Sequence, residues 1–194
     1  PGRKGETWYA LQLAMSTASL TESDLTIQDI GYTQQAALVG GKVDAVVGYS
    51  NNDAIQIRQA GTPVRTIQVA DRIPLVGVSL VTTRSLLDSR RQDLETVVKA
   101  SIKGMTAFVK DPDAAVEATK DHMDDLKVDQ TQAARAREVA VATGKLVSGD
   151  GSHPIGSVRV DDIASMIEFL TSHKLLGDKK TPKAAEVCVP LTGN

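Results

Sequence analysis

One cysteine, Cys188, is all that this 194-residue chain contains. That excludes an internal disulfide and any cysteine-rich metal site, and such cysteine poverty fits an oxidising compartment. Aromatic residues make up only 3% of the chain, which leaves few platforms on which unpaired bases could stack. An excess of positive charge is lacking too. The formal net charge is −2, so there is no basic footprint for nucleic acid or an anionic membrane. The three histidines, His122, His153 and His173, are scattered, with none at the i, i+4 spacing of a metal-binding helix. No run of about 18 apolar residues is present to span a bilayer, and no secretory leader opens the chain. G-x-G-x-x-G, P-loop and G-x-S-x-G patterns are all missing. No catalytic residue, metal ligand or cofactor site is expected from these residues.

What is there suits a globular chain with a core: 41% of residues are hydrophobic and 24% charged. The length allows one domain or two small ones. The most informative stretch is 26–52, TIQDIGYTQQAALVGGKVDAVVGYSNN. Ile27 and Ile30, then Val43, Ala45, Val46 and Val47, are short apolar runs of the kind buried strands use. Between them Thr33 is placed to cap a helix through Ala36, Ala37, Leu38 and Val39, which Gly40-Gly41 stops. Strand, helix and strand in so few residues predict a right-handed crossover in a parallel sheet. Ligands of such sheets bind beyond the carboxyl ends of the strands. One rim would then carry Gly31, Tyr32, Thr33 and Gln34 beside Gly48, Tyr49, Ser50 and Asn51.

Elsewhere the periodicity predicts a helix over 6–17, with Trp8, Leu11, Leu13 and Met15 among its apolar positions. A turn at Ser23-Asp24 follows it. Asn51 or Asn52 caps a helix through Ile55 and Ile57, stopped by Gly61 and Pro63. Residues 64–69 and 75–83 read as two further strands, with Asp71, Arg72 and Pro74 in the loop between them. Helices are predicted over 93–109, from Pro112 to about 121, over 130–143 and over 161–172. Residues 149–154 form a loop, and the tail from Gly177 is mostly irregular. Residues 1–80 therefore read as an α/β lobe and 81–194 as a strand followed by helices.

Each candidate site has a plain structural alternative. Gly2, Gly5, Glu6 and Thr7 form a loop at a helix N-terminus, where free N–H groups attract hydrogen-bond acceptors. Read without context, the same residues are a turn with an acid favourable to the first helical turn. Trp8 suits core packing better than ligand stacking. Thr33 caps a helix, and Gln34 is equally open as a donor to a ligand or as a solvated side chain. Tyr49, Ser50 and Asn51 join flat apolar surface to donors and acceptors, as small-molecule pockets require. Asn also caps and turns for purely local reasons. Asp44 lies at the start of its strand, away from the rim. Asp71 and Arg72 suit an exposed ion pair more than a ligand contact.

Taken in order, these pieces resemble the SsuA/THI5 (NMT1-like) family of solute-binding proteins of ABC importers. The resemblance rests on Gly5-Glu6-Thr7-Trp8, on Thr33 to Leu38, on KVDAVVGYSNN at 42–52, on the 75–83 strand, and on KDPDAA at 110–115. It implies a type II periplasmic-binding-protein-like fold, with a three-layer α/β lobe, a parallel core sheet and later helices that return to the other lobe. The 75–83 strand would be the hinge crossing. It also implies that most of the first lobe, with any leader or lipid anchor, lies upstream of Pro1. In the pyrimidine-binding branch the loop matching Gly5 and Glu6 faces the ligand, and only those two residues carry that role over.

The function implied is capture, not catalysis: a small molecule held between two lobes, a membrane permease as partner, and a place in the periplasm or otherwise outside the cytoplasm. The ligand-binding residues expected are Gly5, Glu6, Thr7, Thr33, Gln34, Tyr49, Ser50 and Asn51. Glu6 argues against an all-anion site for sulfonate or nitrate, because a carboxylate repels such ligands; an aliphatic sulfonate, nitrate or taurine-type solute is the alternative ligand class. A thiamine-precursor pyrimidine, or another heterocycle such as a flavin, suits Glu6. Two further readings share the fold class. A thiamine-pyrimidine biosynthesis enzyme needs a cysteine cluster, and Cys188 alone cannot form one. A regulator's effector domain needs a DNA-binding segment upstream of Pro1.

Overall fold

The computed structural model describes residues 3, 5–69, 76–178, 180–189 and 191. They form two units. The first comprises Pro1–Ile73 with Thr131–Val139, the second Pro74–Gln130 with Ala140–Asn194.

In the first unit, α1 spans Glu6–Thr17, with the bounds its apolar periodicity predicts, and buries Trp8 and Met15 two turns apart. A 3-10 turn at Glu22–Asp24 follows. Asp24 closes it by accepting the Thr21 backbone N–H (2.8 Å) and hydroxyl (2.7 Å). Helix α2, Gln34–Val39, and α3, Asp53–Gln59, pack on each other and bury Ala37, Ile55 and Ile57. A bond from Gln35 Nε2 to the Gln56 carbonyl (3.4 Å) also joins them. Gln59, at the end of α3, donates to Glu138 (2.6 Å) and accepts from Arg135 Nε (3.0 Å), which ties in the 131–139 segment.

Helix ends here share one device. The Lys42 N–H reaches the Ala37 carbonyl (2.9 Å) and the Thr62 N–H that of Ile57 (3.3 Å). Each of these six-to-one bonds closes over a glycine in the left-handed region, Gly41 (φ 65°) or Gly61 (φ 81°). Helix α1 closes the same way over Ser19 (φ 55°), with Leu20 N–H on the Met15 carbonyl (2.8 Å).

The parallel sheet expected from residues 26–30, 43–47, 64–69 and 75–83 is not formed among the described residues. Those segments carry no strand assignment. No backbone hydrogen bond joins 26–30 to 43–47 or either of them to 64–69 or 76–83. A ladder is made of backbone hydrogen bonds between neighbouring strands, and among the described residues none links these runs. The predicted strand–helix–strand crossover is therefore a loop–helix–loop. Val78, Leu80 and Val81 are 110%, 67% and 91% exposed, so residues 77–83 have no covered face, while Val76 at the start of the segment is half-buried. Asp71, Arg72 and Leu75 lie outside the described residues.

The second unit is helical: α4 (Arg84–Ser89), α5 (Arg91–Lys110), α6 (Pro112–Lys120), α7 (Asp125–Val128), the end of α8 (Gln130–Ser148), α9 (Val160–Ser172) and α10 (Ala184–Val187). Thr83 caps α4 by accepting the Leu86 N–H (3.2 Å), and Asp111 caps α6 by accepting the Ala114 N–H (2.9 Å), with Pro112 at the first helical position. On α5 the half-buried stripe runs through Leu94, Val98, Ile102, Met105 and Phe108, while Val97 is exposed. Helix α8 continues past the predicted stop at 143 to Ser148, with Gly144 buried against the end of α5. A β-carbon there would sit 3.8 Å from Val109 Cα and 3.9 Å from Phe108 Cε1, ordinary contact distances. The tail read as irregular contains α10. With α9 it forms an apolar cluster of Ile163, Ile167 and Cys188, flanked by Val76, Met166 and Ala184.

Candidate ligand-binding site

Gly5 has φ 81° and ψ −177°, a conformation open to glycine, and its carbonyl accepts the Tyr9 N–H (3.1 Å) to start α1. Glu6 is thereby the first residue of the helix, with Thr7 half-buried behind it. The Tyr49 hydroxyl donates to Glu6 Oε2 at 3.0 Å, a contact between residues 43 apart in sequence. That bond joins two of the residues the sequence singled out.

The backbone of Tyr49 is held from the other side. Its N–H donates to Asp53 Oδ2 (2.7 Å), and its carbonyl accepts the Asn52 N–H (3.1 Å). Asp53 comes close because residue 48 is glycine. A β-carbon at Gly48 would lie 2.5 Å from that same oxygen. The hydrogen bond to Glu6 is the main force that pushes the Tyr49 phenol above its ordinary value of 10.0, helped by partial burial and by the nearby Glu6 and Asp53 charges. Sequence reasoning missed Asp53; the signal available was an acid at the start of a helix just after a glycine–tyrosine turn.

Ser50 and Asn51 lie half-buried in the same turn, ahead of α3. Asn52 precedes the helix, and its side chain accepts from Gln56 Nε2 (2.7 Å) instead of capping the backbone. Thr33 likewise precedes α2 without capping it. Both its N–H (3.2 Å) and its hydroxyl (2.7 Å) turn back to the Ile30 carbonyl. Gln34 begins α2 and is half-buried. Trp8 is 7% exposed, with the Arg3 guanidinium 5.3 Å above its ring, so it belongs to the core. Arg3 also pairs with Glu22.

A cavity of about 460 Å³ lies elsewhere, in the second unit, between α9 and residues 181–184. Ala164, Ile167, Thr171, Pro182 and Ala184 line it, and none of the residues singled out by sequence does. His153 contacts Arg159 (2.9 Å) and His173 stacks on Phe169 (4.3 Å between centroids). Among the described residues, no three His, Cys, Asp or Glu side chains are placed to hold a metal ion, and no helix is long and apolar enough to cross a membrane.

Comparison with known proteins adds to this geometry. The riboflavin-binding protein RibY of Chloroflexus aurantiacus is 33% identical over 117 residues, 60% of this chain and 33% of the relative. A formylaminopyrimidine-binding protein of Halalkalibacterium halodurans is 22% identical over 153 residues, 77% of this chain and 46% of the relative. The matched part thus spans less than half the length of either relative. The family described as NMT1/THI5 like matches residues 3–115, a stretch that holds Glu6, Thr33 and Tyr49, and the chain belongs to that family.

Proposed function

We propose that this chain is part of the solute-binding component of an ABC importer and that its first unit holds one side of an aromatic heterocycle. The observation that carries the reading is the Glu6–Tyr49 bond, which sets a hydrogen-bond acceptor beside an aromatic ring at a helix N-terminus. A carboxylate there suits an amino or imide N–H edge and disfavours an anion. The relatives' names point the same way, to riboflavin and to a formylaminopyrimidine. Gly5, Thr7, Thr33, Gln34, Ser50 and Asn51 complete the proposed contact surface.

Binding, with no chemistry on the ligand, is the proposed role. Closure of two lobes of a type II periplasmic-binding fold would bury the ligand, driven by its stronger contacts in the closed state. A membrane permease is the proposed partner of the closed form. The proposed place of action is outside the cytoplasm, with the full-length protein soluble in the periplasm or held by a lipid anchor.

Thermal shift of the full-length protein tests this against thiamine, its aminopyrimidine precursors, riboflavin, taurine, alkanesulfonates and nitrate. A ligand at a hundred times its dissociation constant adds about 2.7 kcal/mol of stability. Stabilisation confined to the heterocycles is the expected outcome. Stabilisation confined to sulfonates or nitrate would keep the importer role and discard the ligand class.

A further inference from the structure

We infer that Asp53 is a positioning residue for the site: its carboxylate holds the backbone of Tyr49 so that the phenol meets Glu6. The inference rests on the function proposed above and extends it to a residue outside the contact surface named there.

Tyr49 is 50% exposed, so packing alone does not fix its ring. Hydrogen bonds hold it at both ends. At the tip, the hydroxyl donates to Glu6 Oε2 (3.0 Å). At the root, the N–H donates to Asp53 Oδ2 (2.7 Å). An acid in the first turn of a helix is favourable in its own right, wherever it points. The Asp53 carboxylate does more: it reaches back out of α3 to an N–H four residues earlier. Room for it exists because residue 48 has no side chain. A β-carbon at Gly48 would lie 2.5 Å from Asp53 Oδ2, 2.9 Å from its Cγ and 3.0 Å from its Cβ. Any larger residue there would have to push the carboxylate away from the Tyr49 N–H.

The holder is itself held. Asp53 opens α3, whose Ile55 and Ile57 are each 2% exposed, and α3 packs on α2. Further bonds close the Tyr49 turn onto the same helix. The Tyr49 carbonyl accepts the Asn52 N–H (3.1 Å), and Asn52 Oδ1 accepts from Gln56 Nε2 (2.7 Å). The Gln56 carbonyl in turn accepts from Gln35 Nε2 of α2 (3.4 Å). The phenol is therefore set by a buried helix pair and not by a free loop. A charged acceptor makes a stronger bond than a neutral one. A site arranged before its ligand arrives binds more tightly, because less ordering remains to be done. Asp53 meets Tyr49 at the opposite end of the residue from Glu6, so its effect on a ligand passes through Tyr49.

Three variants of the full-length protein test the assignment. Asp53→Ala removes the acceptor, Gly48→Ala keeps the carboxylate but displaces it, and Asp53→Asn keeps an acceptor without the charge. Each is titrated by calorimetry with riboflavin and with a formylaminopyrimidine. Each is also titrated without ligand for the Tyr49 phenol by ultraviolet absorbance, with Tyr49→Phe identifying its signal. Affinity is expected to be about 10-fold weaker in Asp53→Ala and Gly48→Ala, and within about 3-fold of the parent in Asp53→Asn. The phenol is held above 10.0 mainly by its bond to Glu6. It is expected to fall toward that value in the first two variants and to stay raised in Asp53→Asn. Gly48→Ala adds one methyl and keeps every polar group, so it decides the matter even where Asp53→Ala unfolds. A phenol unmoved in Gly48→Ala overturns the positioning role, whichever ligand the protein takes. Equal loss of affinity in Asp53→Asn and Asp53→Ala overturns it too, because the charge and not the bond would then matter. Unchanged affinity in Gly48→Ala, with the parent binding either heterocycle, overturns the role of Asp53 in the site and leaves the proposed function standing. A parent that binds neither heterocycle overturns the proposed ligand class, while the phenol titration still decides whether Asp53 sets Tyr49.

Discussion

Ile55 in α3 and Val78 in the 76–83 segment are both β-branched residues in apolar stretches, and they meet opposite fates. Ile55 is 2% exposed; Val78 is fully exposed. The helix satisfies its backbone within itself and needs cover on one face only, which α2 provides. The extended segment owns none of its hydrogen-bond partners and has to borrow them from a neighbour. Apolar character alone thus does not decide burial. What decides it is whether the element can complete its backbone before it packs.

The largest test of that contrast is a pair of truncations. Ile55→Ala is expected to cost about 3 kcal/mol by urea denaturation, as lost burial plus a cavity. Val78→Ala is expected to stay within about 0.5 kcal/mol. A cost at Val78 equal to that at Ile55 would show residues 77–83 packed in solution and break the comparison.

A smaller effect is expected at Tyr49, a half-exposed residue whose hydroxyl bonds Glu6. Tyr49→Phe is expected to lose about 0.5–1 kcal/mol at neutral pH. The folded protein holds this phenol proton more tightly than the unfolded chain, where the group titrates near 10.0. The bond's contribution is therefore present in full below that pH and fades as pH rises through the higher folded value. Denaturation curves of parent and Tyr49→Phe measured up alkaline pH should converge; a constant gap would show that the hydroxyl is not the group involved.

The smallest effect concerns helix closure. Helix α9 ends over Lys174 at φ 55°, with the Leu175 N–H on the Leu170 carbonyl (2.8 Å), in the manner of Gly41 and Gly61. Lys174→Gly relieves a left-handed lysine but adds freedom to the unfolded chain. A net gain of about 0.5 kcal/mol is expected from the same denaturation measurement. A loss would mean that the lysine side chain contributes more than its backbone costs.

Helices were legible in the sequence because their signals are local. The bounds of α1, the Asp111-Pro112 start of α6 and the Gly40-Gly41 stop after α2 all follow from residues within one turn. The stop predicted before Gly144 failed because one glycine does not end a helix whose face is buried: Gly144 lies inside α8, against the end of α5. Helix α10 escaped notice because four residues among Lys, Pro and Gly carry no period. The expected strands form no ladder among the described residues, and no single stretch of sequence contains a ladder partner. In the candidate site, Glu6 and Tyr49 were each nameable from their surroundings, yet no local rule joins residues 43 positions apart. At Thr33 residue type suggested a cap, and the hydroxyl chose the nearer Ile30 carbonyl.

Trp8 follows Glu6 by two residues on α1 and is the single tryptophan of the chain. Its indole is shielded from water, and a guanidinium lies over its face. The helix that presents the carboxylate therefore carries a built-in optical probe. Indole emission from this chain arises at one place, one short step from the residue that the ligand would meet. Any event that shifts α1 or draws Arg3 away changes the colour and intensity of that light, with no dye attached.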